Sequence, residues 1–245
     1  MMFDKKEFLS LLTDSFGANQ MSDFIDSEKA DAFFELTVRL LEENKKYNLT
    51  AITDLPRVIL NHYVDSAVVA LYVEKGARVV DIGCGAGFPT LPLAIIRSDL
   101  DIVAVDSTAK RIAYVNETAR LLGLKNVTAI AMRAEDGGQN PLYRESFDVC
   151  TARAVAQMRI LCELCMPYVK VGGKMIAMKG PSAEQENREA EAAIDRLGGT
   201  LVACESIKLV GAGEELNHPL VIVEKKKSTP REFPRPYAKI LKKPL

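Results

Sequence analysis

The sequence predicts an α/β fold in which a helical N-terminal region precedes a doubly wound, largely parallel sheet. From Ala77 onward, short apolar segments alternate with stretches of helical length and periodicity. These short segments are apolar on both faces, which is typical of parallel strands covered by helices on both sides. Two final segments, 200–208 and 219–225, have no helix between them. We expect these two to form an antiparallel hairpin that closes one edge of the sheet.

The other strands and the helices between them can be assigned from the same pattern. The remaining strands are expected at 77–82, 101–106, 127–132, 147–152 and 174–179. Helices are expected at 90–97, 108–122, 156–169 and 182–197. This alternation predicts a single ligand-binding core at residues 73–225.

Residues 1–72 are expected to form an N-terminal helical extension. Apolar residues such as Phe33 and Leu36 recur there at helical spacing. Pro56 suits the first turn of a further helix that runs through Tyr72.

Composition places the chain among ordinary globular proteins. Its 245 residues are 48% hydrophobic, which is enough for one sizeable core and a small appended region. No apolar run approaches the roughly 20 residues that a membrane-spanning helix needs. The first residues lack the apolar stretch of a secretory signal. We therefore expect a cytoplasmic protein without membrane contact.

Charge is spread unevenly, and residues 226–245 are predicted to form a basic C-terminal tail. Residues 225–245 carry eight lysines and arginines against Glu232, a net charge of +7. Because the whole chain carries −1, the remainder carries −8. A basic end on an acidic body suits contact with nucleic acid, but a solvated tail that aids solubility fits the charge equally well.

The glycine-rich loop 81–88 (DIGCGAGF) directly follows the first predicted strand of the sheet. Glycines such as Gly83 and Gly85 let the backbone approach a ligand closely, and a doubly wound sheet binds ligands beyond the carboxyl ends of its strands. The dinucleotide fingerprint has a glycine where Phe88 stands here, and Asp81 beside the loop would repel phosphates. The loop therefore indicates a nucleotide-like ligand, although alone it leaves other nucleotides and a structural role open.

Two acidic positions at the ends of the next strands narrow the class of ligand that the loop could bind. Asp106 ends the second strand, where a carboxylate can accept both hydroxyls of a ribose; capping the next helix is its alternative role. Ala134 and Glu135 follow the third strand and would border an adenine, unless they form an ordinary acidic loop. Together with the glycine loop, these positions favour S-adenosylmethionine, which has a ribose and an adenine but no phosphate.

Longer motifs resemble a known family. They are Asp81 to Ile95 (DIGCGAGFPTLPLAI), Asp106-Ser107 with Lys110-Arg111, Phe147 to Ala156 (FDVCTARAVA), Met178-Lys179-Gly180, Asn48 to Ala51, and His62 with Asp65-Ser66. In order and spacing these stretches resemble the bacterial small-subunit ribosomal RNA guanine-N7 methyltransferases, also called glucose-inhibited division protein B. The resemblance runs from about Tyr47 to the C-terminus. Phe88-Pro89 and Thr151 to Ala154 are its most specific parts.

The resemblance implies a seven-stranded class I methyltransferase sheet, Rossmann-like, with an antiparallel last strand and an N-terminal helical extension. It also implies S-adenosylmethionine as cofactor and a guanine in 16S ribosomal RNA as substrate. Implied cofactor contacts come from Gly83, Phe88, Ala134, Glu135 and Arg153. The chain departs from the family at two places: Thr90 stands where glycine is usual, and the segment 238–241 lacks the family's glycine and proline, which leaves the conformation of the tail open.

Guanine N7 already has a lone pair in the ring plane, so we expect methyl transfer without a general base. Catalysis would then rest on orientation, and the residues expected to supply it are Arg153 and Lys179. Arg153, at the end of the fourth strand, is expected to hold the cofactor carboxylate or the guanine edge; a structural ion pair is its alternative role. Lys179, at the end of the fifth strand, is expected to hold an RNA phosphate.

The remaining expected RNA contacts are five polar or basic residues with modest individual signals. They are Asn48, His62, Lys110, Arg111 and Arg235. For Lys110 and Arg111 the alternative is solvated surface. For His62 it is a satisfied interior hydrogen bond, and for Asn48 a capping turn between helices.

No metal site is expected. The Cys162-x-x-Cys165 pair fits two small residues on a buried helix better than a zinc site, since the chain has only two histidines. We expect a monomer that acts on 16S ribosomal RNA or on a small-subunit particle. Two other functions stay open at this point: a small-molecule methyltransferase, and a non-catalytic S-adenosylmethionine-binding factor for ribosome assembly.

Overall fold

Seven strands form one mixed sheet in the computed structural model, which describes residues 3–211 and 213–245. The strands are β1 (Arg78–Ile82), β2 (Asp101–Asp106), β3 (Val127–Ala131), β4 (Phe147–Arg153), β5 (Val169–Met178), β6 (Gly199–Gly211) and β7 (Glu214–Lys225). Their order across the sheet is β3-β2-β1-β4-β5-β7-β6. Strands β1 to β5 are parallel, and β7 is antiparallel to both β5 and β6. The predicted seven-stranded α/β sheet with an antiparallel last strand is confirmed.

Helices cover both faces of this sheet. They are α1 (Lys5–Ala18), α2 (Ser27–Tyr47), α3 (Leu55–Val58), α4 (Asp65–Ala70), α5 (Thr90–Ile96), α6 (Ala109–Leu121), α7 (Ala134–Gln139), α8 (Met158–Cys165), α9 (Ala183–Arg196) and α10 (Tyr237–Lys242). A π-helical segment, Ile59–Val64, joins α3 to α4. Short 3-10 turns lie at Ser22–Phe24 and Met166–Tyr168.

Alternating strand residues divide the interior into two apolar layers. Val79 and Ile102 point to the layer that contains α1, α2 and α5, whereas Val80 and Val103 point to the layer that contains α8 and α9. The cause is the two-residue period of a strand, which sends successive side chains to opposite faces. Strands that are apolar at every position therefore need helices on both sides.

The N-terminal helices share the core of the sheet. Phe8, Leu12 and Phe33 are fully buried and belong to the same apolar cluster as Val79 of β1. Residues 1–72 are therefore helical where the structure describes them, as predicted, but the expected boundary near residue 72 does not separate two cores.

Several expected elements have different lengths in the structure. The strands expected at 200–208 and 219–225 are longer, as Gly199–Gly211 and Glu214–Lys225. The predicted helix 156–169 is shorter, because α8 ends at Cys165 and Pro167 continues the chain as a 3-10 turn. Strand β5 begins at Val169, five residues earlier than expected. Its Gly172 and Gly173 suggest a loop in the sequence, but Gly172 has φ +87° and lies where the pairing with β4 shifts register.

Residues 226–245 fold back onto the sheet layer of α8. Phe233 and Ile240 are buried there among the residues of that layer. The six-residue helix α10 was not expected from the sequence. We call residues 226–245 the C-terminal strap below, because they lie packed along the body of the protein.

Candidate active site

The glycine loop lies directly at the carboxyl end of β1. Gly83 and Cys84 both donate backbone hydrogen bonds to the Val105 carbonyl of β2, at 2.7 and 3.1 Å. Gly83 has φ +72°, and a Cβ added there would lie 2.7 Å from a methyl carbon of Val155. Only glycine therefore fits at position 83 without a shift of the neighbouring chain.

A cleft of about 310 Å³ opens beside this loop. It is lined by Ile82, Gly83, Val105, Asp106, Ser107, Thr108, Arg111, Met132, Arg133, Ala134, Glu135, Ala154, Val155, Leu164 and Tyr237. Four of the expected cofactor residues meet here: Gly83, Asp106, Ala134 and Glu135. Gly85, Phe88 and Arg153, which were also expected to contact the cofactor, are not part of this lining.

Asp106 ties the loop to the start of α6. Its Oδ2 accepts a hydrogen bond from the Gly85 backbone at 3.1 Å, and its Oδ1 accepts one from the Thr108 backbone at 2.8 Å. The alternative role of Asp106 as a helix cap is not found, because Thr108 is the N-cap of α6 and Asp106 accepts only from the Thr108 N–H; Asp106 lines the cleft. Gly85 contributes its backbone N–H to Asp106 and is not part of the cleft lining.

The charges of the cleft are paired. Arg111 lies 3.7 Å from Asp106, and Arg133 lies 4.0 Å from Glu135. Because each cation faces a carboxylate, the cleft has no excess of positive charge to hold a pyrophosphate. These paired carboxylates and guanidinium groups, together with a loop wall that lacks a side chain at Gly83, fit a nucleoside that has ribose hydroxyls and no phosphate.

Asp81 lies beneath the loop and does not reach the cleft. It is buried, and Thr90 donates a 2.6 Å hydrogen bond to its Oδ2 while Oδ1 has no partner. Burial raises the pKa of Asp81 to about 6, and the Thr90 bond lowers it by less than that. Thr90, the residue that departs from the family pattern, therefore has a defined role as a donor to a buried carboxyl group. The expectation that Asp81 would repel phosphates at the loop is not supported by this position, because Asp81 is not part of the cleft lining.

A second group of side chains lies on the other side of the loop. We call His62, Asp65, Phe88, Arg153 and His218 the polar cluster. Arg153 donates to the Asn61 carbonyl at 2.8 Å and to Asp65 Oδ2 at 3.0 Å, and its guanidinium lies 5.4 Å from the centre of the Phe88 ring. The alternative role of Arg153, an ion pair within the protein, is therefore present.

The π-helical segment explains why a main-chain carbonyl is available to Arg153. The Asp65 backbone N–H donates to Leu60, five residues back, instead of to Asn61. The Asn61 carbonyl is left without its α-helical partner and accepts from Arg153 instead. The register change in this helix thus builds part of the site.

His62 stacks on Phe88 and is nearly buried. Its Nε2 lies 2.9 Å from the Thr50 hydroxyl. Burial, assisted by the charge of Arg153, lowers the pKa of His62 to about 4, so the ring is neutral at pH 7. Asn48 ends α2 in the left-handed conformation, with φ +49°, which is the expected capping turn.

His218 is a member of the cluster that sequence reasoning missed. Its Nε2 lies 2.5 Å from Asp65 Oδ1. In the sequence His218-Pro219 looks only like the start of a strand, since nothing local indicates a partner more than 150 residues earlier. Both histidines of the chain thus flank Asp65 and Arg153.

Two expected RNA contacts have partners inside the protein instead. Lys179, largely buried, donates to the Ala156 carbonyl at 2.7 Å and pairs with Glu186 at 2.7 Å. Arg235 donates from its main chain, Nε and Nη2 to the buried carboxylate of Glu163. In this structure both cations are held in ion pairs within the protein. Lys110 is exposed and Arg111 is half exposed, so both remain accessible to a large partner.

Residues 3–211 and 213–245 contain no helix long and apolar enough to cross a membrane. Across the same residues, no group of three or more His, Cys, Asp or Glu side chains is placed to hold a metal ion. Cys162 and Cys165 are both buried on α8.

The order β3-β2-β1-β4-β5-β7-β6, with a cleft beyond β1 and β2, defines the class I S-adenosylmethionine-dependent methyltransferase fold. Solved structures agree. TYW2 from M. jannaschii, in complex with AdoMet, has a TM-score of 0.54 at 18% identity and covers 66% of this chain and 75% of its own. A SAM-dependent O-methyltransferase from Thermotoga maritima has a TM-score of 0.52 at 16% identity over 78% of this chain and 72% of its own.

Sequence comparison identifies the family within this class. The family described as rRNA small subunit methyltransferase G matches residues 28–212. A Clostridium perfringens protein named ribosomal RNA small subunit methyltransferase G is 46% identical over 222 residues, 90% of this chain and 92% of the relative. A protein of the same name from Lactobacillus delbrueckii subsp. bulgaricus is 43% identical over 225 residues, again 90% and 92%. The chain belongs to the rRNA small subunit methyltransferase G family.

Proposed function

We propose that this chain transfers a methyl group from S-adenosylmethionine to N7 of a guanine in 16S ribosomal RNA of the small ribosomal subunit. The observation that carries the substrate class is its similarity, along nine tenths of the chain, to relatives named for small-subunit ribosomal RNA. The choice of N7 rests on the resemblance of the sequence motifs and on the state of the polar cluster.

The cleft residues fit the cofactor. We assign the ribose to Asp106 and the adenine end to Ala134 and Glu135, with the Gly83 backbone as the wall next to the sulfonium end. Bound there, the cofactor supplies an electrophilic methyl group. The paired charges of Arg111 and Arg133 leave the cleft suited to a ligand without phosphates.

The polar cluster supports an acceptor that needs no base. His62 is neutral, stacked and hydrogen-bonded, and Asp65 is ion-paired with Arg153 through Oδ2, while His218 Nε2 lies 2.5 Å from its Oδ1. A side chain already held in an ion pair is a poor base. Since guanine N7 carries no proton at neutral pH, these residues need only position it. Orientation of this kind contributes roughly 7–11 kcal/mol to lowering a reaction barrier.

Arg153 and Phe88 act in this proposal from the polar cluster, outside the lining of the cleft. Arg153 is held by Asn61 and Asp65, so its guanidinium is fixed before any substrate arrives. The Phe88 ring stacks on His62, and its centre lies 5.4 Å from that guanidinium. We assign the acceptor guanine to this side of the loop and the cofactor to the other.

RNA affinity is assigned to the exposed cations near the cleft, with Lys110 and Arg111 at the start of α6 as the main contributors. Contacts to phosphate release counterions, so affinity should fall with salt. Substitution Lys110→Ala should reduce the slope of log affinity against log salt by about 0.7–0.9. The matched control is Lys125→Ala, because Lys125 is also exposed but lies beyond the C-terminal end of α6, whereas Lys110 lies in its first turn. We propose a monomer that works in the cytoplasm, where small subunits are assembled.

The decisive experiment supplies radiolabelled S-adenosylmethionine and three substrates: naked 16S ribosomal RNA, mature small subunits that lack the modification, and precursor particles. We expect label on one guanine of at least one substrate, mapped to N7 by chemical cleavage. Absence of label on all three would overturn the proposal. Turnover of small molecules without RNA would instead favour a small-molecule methyltransferase, and cofactor binding without any product would favour an assembly factor.

A further inference from the structure

The C-terminal strap reaches the cofactor cleft. Tyr237, the first residue of α10, lines the cleft together with Ala134, Glu135 and Leu164. In the sequence Tyr237 is a possible stacking partner for an RNA base within a basic tail. The structure places it in the wall of the cleft, on the side of α7 and α8.

The strap is held against both helices that form this wall. On α7, Gln139 donates to the Pro234 carbonyl at 3.0 Å, and a Cβ added at Gly138 would lie 2.9 Å from Pro234. On α8, Glu163 is fully buried and accepts three hydrogen bonds from Arg235. A buried carboxylate satisfied by one guanidinium is strongly destabilised when that partner leaves.

Further hydrogen bonds hold the strap at both ends of this contact. Arg144 donates to the carbonyls of Thr229, Pro230 and Phe233, at distances between 2.7 and 3.1 Å. Arg159 donates to main-chain oxygens of Pro244 and Leu245, at 3.0 and 2.5 Å. The strap is therefore packed against the rest of the protein, and hydrogen bonds hold it in place both before and after Tyr237 in the chain.

We propose that Tyr237 contacts the adenine end of the cofactor, so that the C-terminal strap is a cofactor-binding element. The proposal rests on the proposed function in one respect: S-adenosylmethionine occupies the cleft beside the glycine loop. Tyr237 shares its wall with Ala134 and Glu135, the residues assigned to the adenine. An aromatic side chain there can stack on the base or pack against it, as aromatic residues do in nucleic-acid sites.

This assignment also explains the positions of the strap cations. Arg235 holds the strap in place through Glu163, whereas Lys239 and Lys242 of α10 remain exposed. The basic composition of residues 226–245 thus combines anchoring cations with surface cations. Composition alone does not distinguish the two kinds.

Fluorescence gives a direct test, because the chain contains no tryptophan. The variant Tyr237→Trp has one tryptophan in the wall of the cleft, and the matched variant Leu241→Trp has one on the same helix at a half-exposed position. Each is titrated with S-adenosylhomocysteine. We expect a saturable change of emission for Tyr237→Trp and none for Leu241→Trp. Equal responses, or no response in either variant that binds the ligand by calorimetry, would overturn the proposal.

Calorimetry then identifies which part of the ligand Tyr237 contacts. Tyr237→Ala should bind S-adenosylhomocysteine and adenosine roughly tenfold more weakly, by the same factor for both, whereas Tyr237→Phe should retain most of the affinity. Weakened binding of S-adenosylhomocysteine alone would contradict the adenine assignment. Tyr237→Leu, which keeps apolar volume, replaces Tyr237→Ala if the latter unfolds at lower temperature than wild type.

The two proposals can fail separately. Wild-type protein that binds no S-adenosylhomocysteine would overturn the assignment of the cleft itself. Wild-type binding combined with unchanged affinity in Tyr237→Ala would leave the cleft assigned and overturn only the role of Tyr237. Neither measurement depends on methyl transfer to RNA.

Discussion

The imidazole of His62 lies stacked on the ring of Phe88, with 4.4 Å between the ring centroids and 12° between the planes. His62 belongs to the π-helical segment between α3 and α4, and Phe88 ends the glycine loop. The contact therefore joins the N-terminal helices to the cofactor loop. It also removes the imidazole from water, and this has a measurable consequence.

Folding stability should depend on pH through His62. Its pKa is lowered from 6.5 to about 4, chiefly by burial and then by the charge of Arg153. Between these values the unfolded chain binds a proton that the folded chain does not. The contribution of neutral His62 is therefore complete above pH 6.5 and is lost as pH falls towards 4, by about 3 kcal/mol in all. Urea unfolding of wild type and His62→Gln from pH 4.5 to 7.5 measures it.

The difference between the two proteins is the relevant quantity, because Asp81 titrates in an overlapping window with opposite sign. Burial raises the pKa of Asp81 from 3.8 to about 6, so between these values the folded chain holds a proton that the unfolded chain has lost. Stability contributed by Asp81 then falls as pH rises. This term is common to wild type and His62→Gln and cancels. Parallel stability curves for the two would contradict the role given to His62.

Thr90→Val should destabilise the protein most at alkaline pH. The change keeps the shape of the side chain but removes the donor to Asp81 Oδ2. A buried carboxylate that loses a hydrogen bond costs roughly 1.5–3 kcal/mol. The loss should shrink near pH 5, where Asp81 is protonated in the folded state. Denaturant unfolding at pH 5 and pH 8 tests this, with Thr90→Ser as the control that keeps the hydroxyl. Equal losses at both pH values would count against it.

Gly83→Ala and Gly76→Ala separate backbone strain from loss of space. Both glycines have φ +72°, but a Cβ at position 76 meets no atom within 4 Å, whereas at position 83 it meets Val155 at 2.7 Å. Gly76→Ala should cost about 1 kcal/mol from backbone strain alone. Gly83→Ala should cost more and should also weaken S-adenosylhomocysteine binding. Equal stabilities, or unchanged ligand affinity in Gly83→Ala, would show that the close approach at position 83 has no consequence.

Arg153 and Asp65 should show a large coupling energy in a double-mutant cycle. Arg153→Ala leaves Asp65 as a buried carboxylate without its guanidinium, which costs roughly 3–5 kcal/mol. The double variant with Asp65→Ala should recover part of that loss. The exposed pair Arg196 and Glu232 is the control, since surface pairs contribute about 0.2–1 kcal/mol. Similar coupling energies for the two pairs would refute a structural ion pair at Arg153.

Local sequence patterns predicted the strands of the sheet and the class of ligand well. The glycine loop, Asp106 and Glu135 could be placed together because each follows a strand end, and parallel strands end at one edge of a sheet. Strand β5 was predicted too short, because its two glycines look like a loop within an isolated segment. The pairing of β5 with β4 and β7 overrides that local preference.

The sequence by itself determined the order of elements, the glycine loop and the acidic positions of the cleft, since these depend on periodicity and on residues near one another in the chain. Tertiary structure alone decided which cations are free. Arg235 pairs with Glu163, 72 positions away, and Lys179 turns inward to Glu186. The placement of His218 beside Asp65 and of Tyr237 in the cleft has the same origin. The sequence pattern does not show the partner of a charged or aromatic side chain when that partner lies far away in the chain. Folding brings the two together, and burial then requires the charge to be paired.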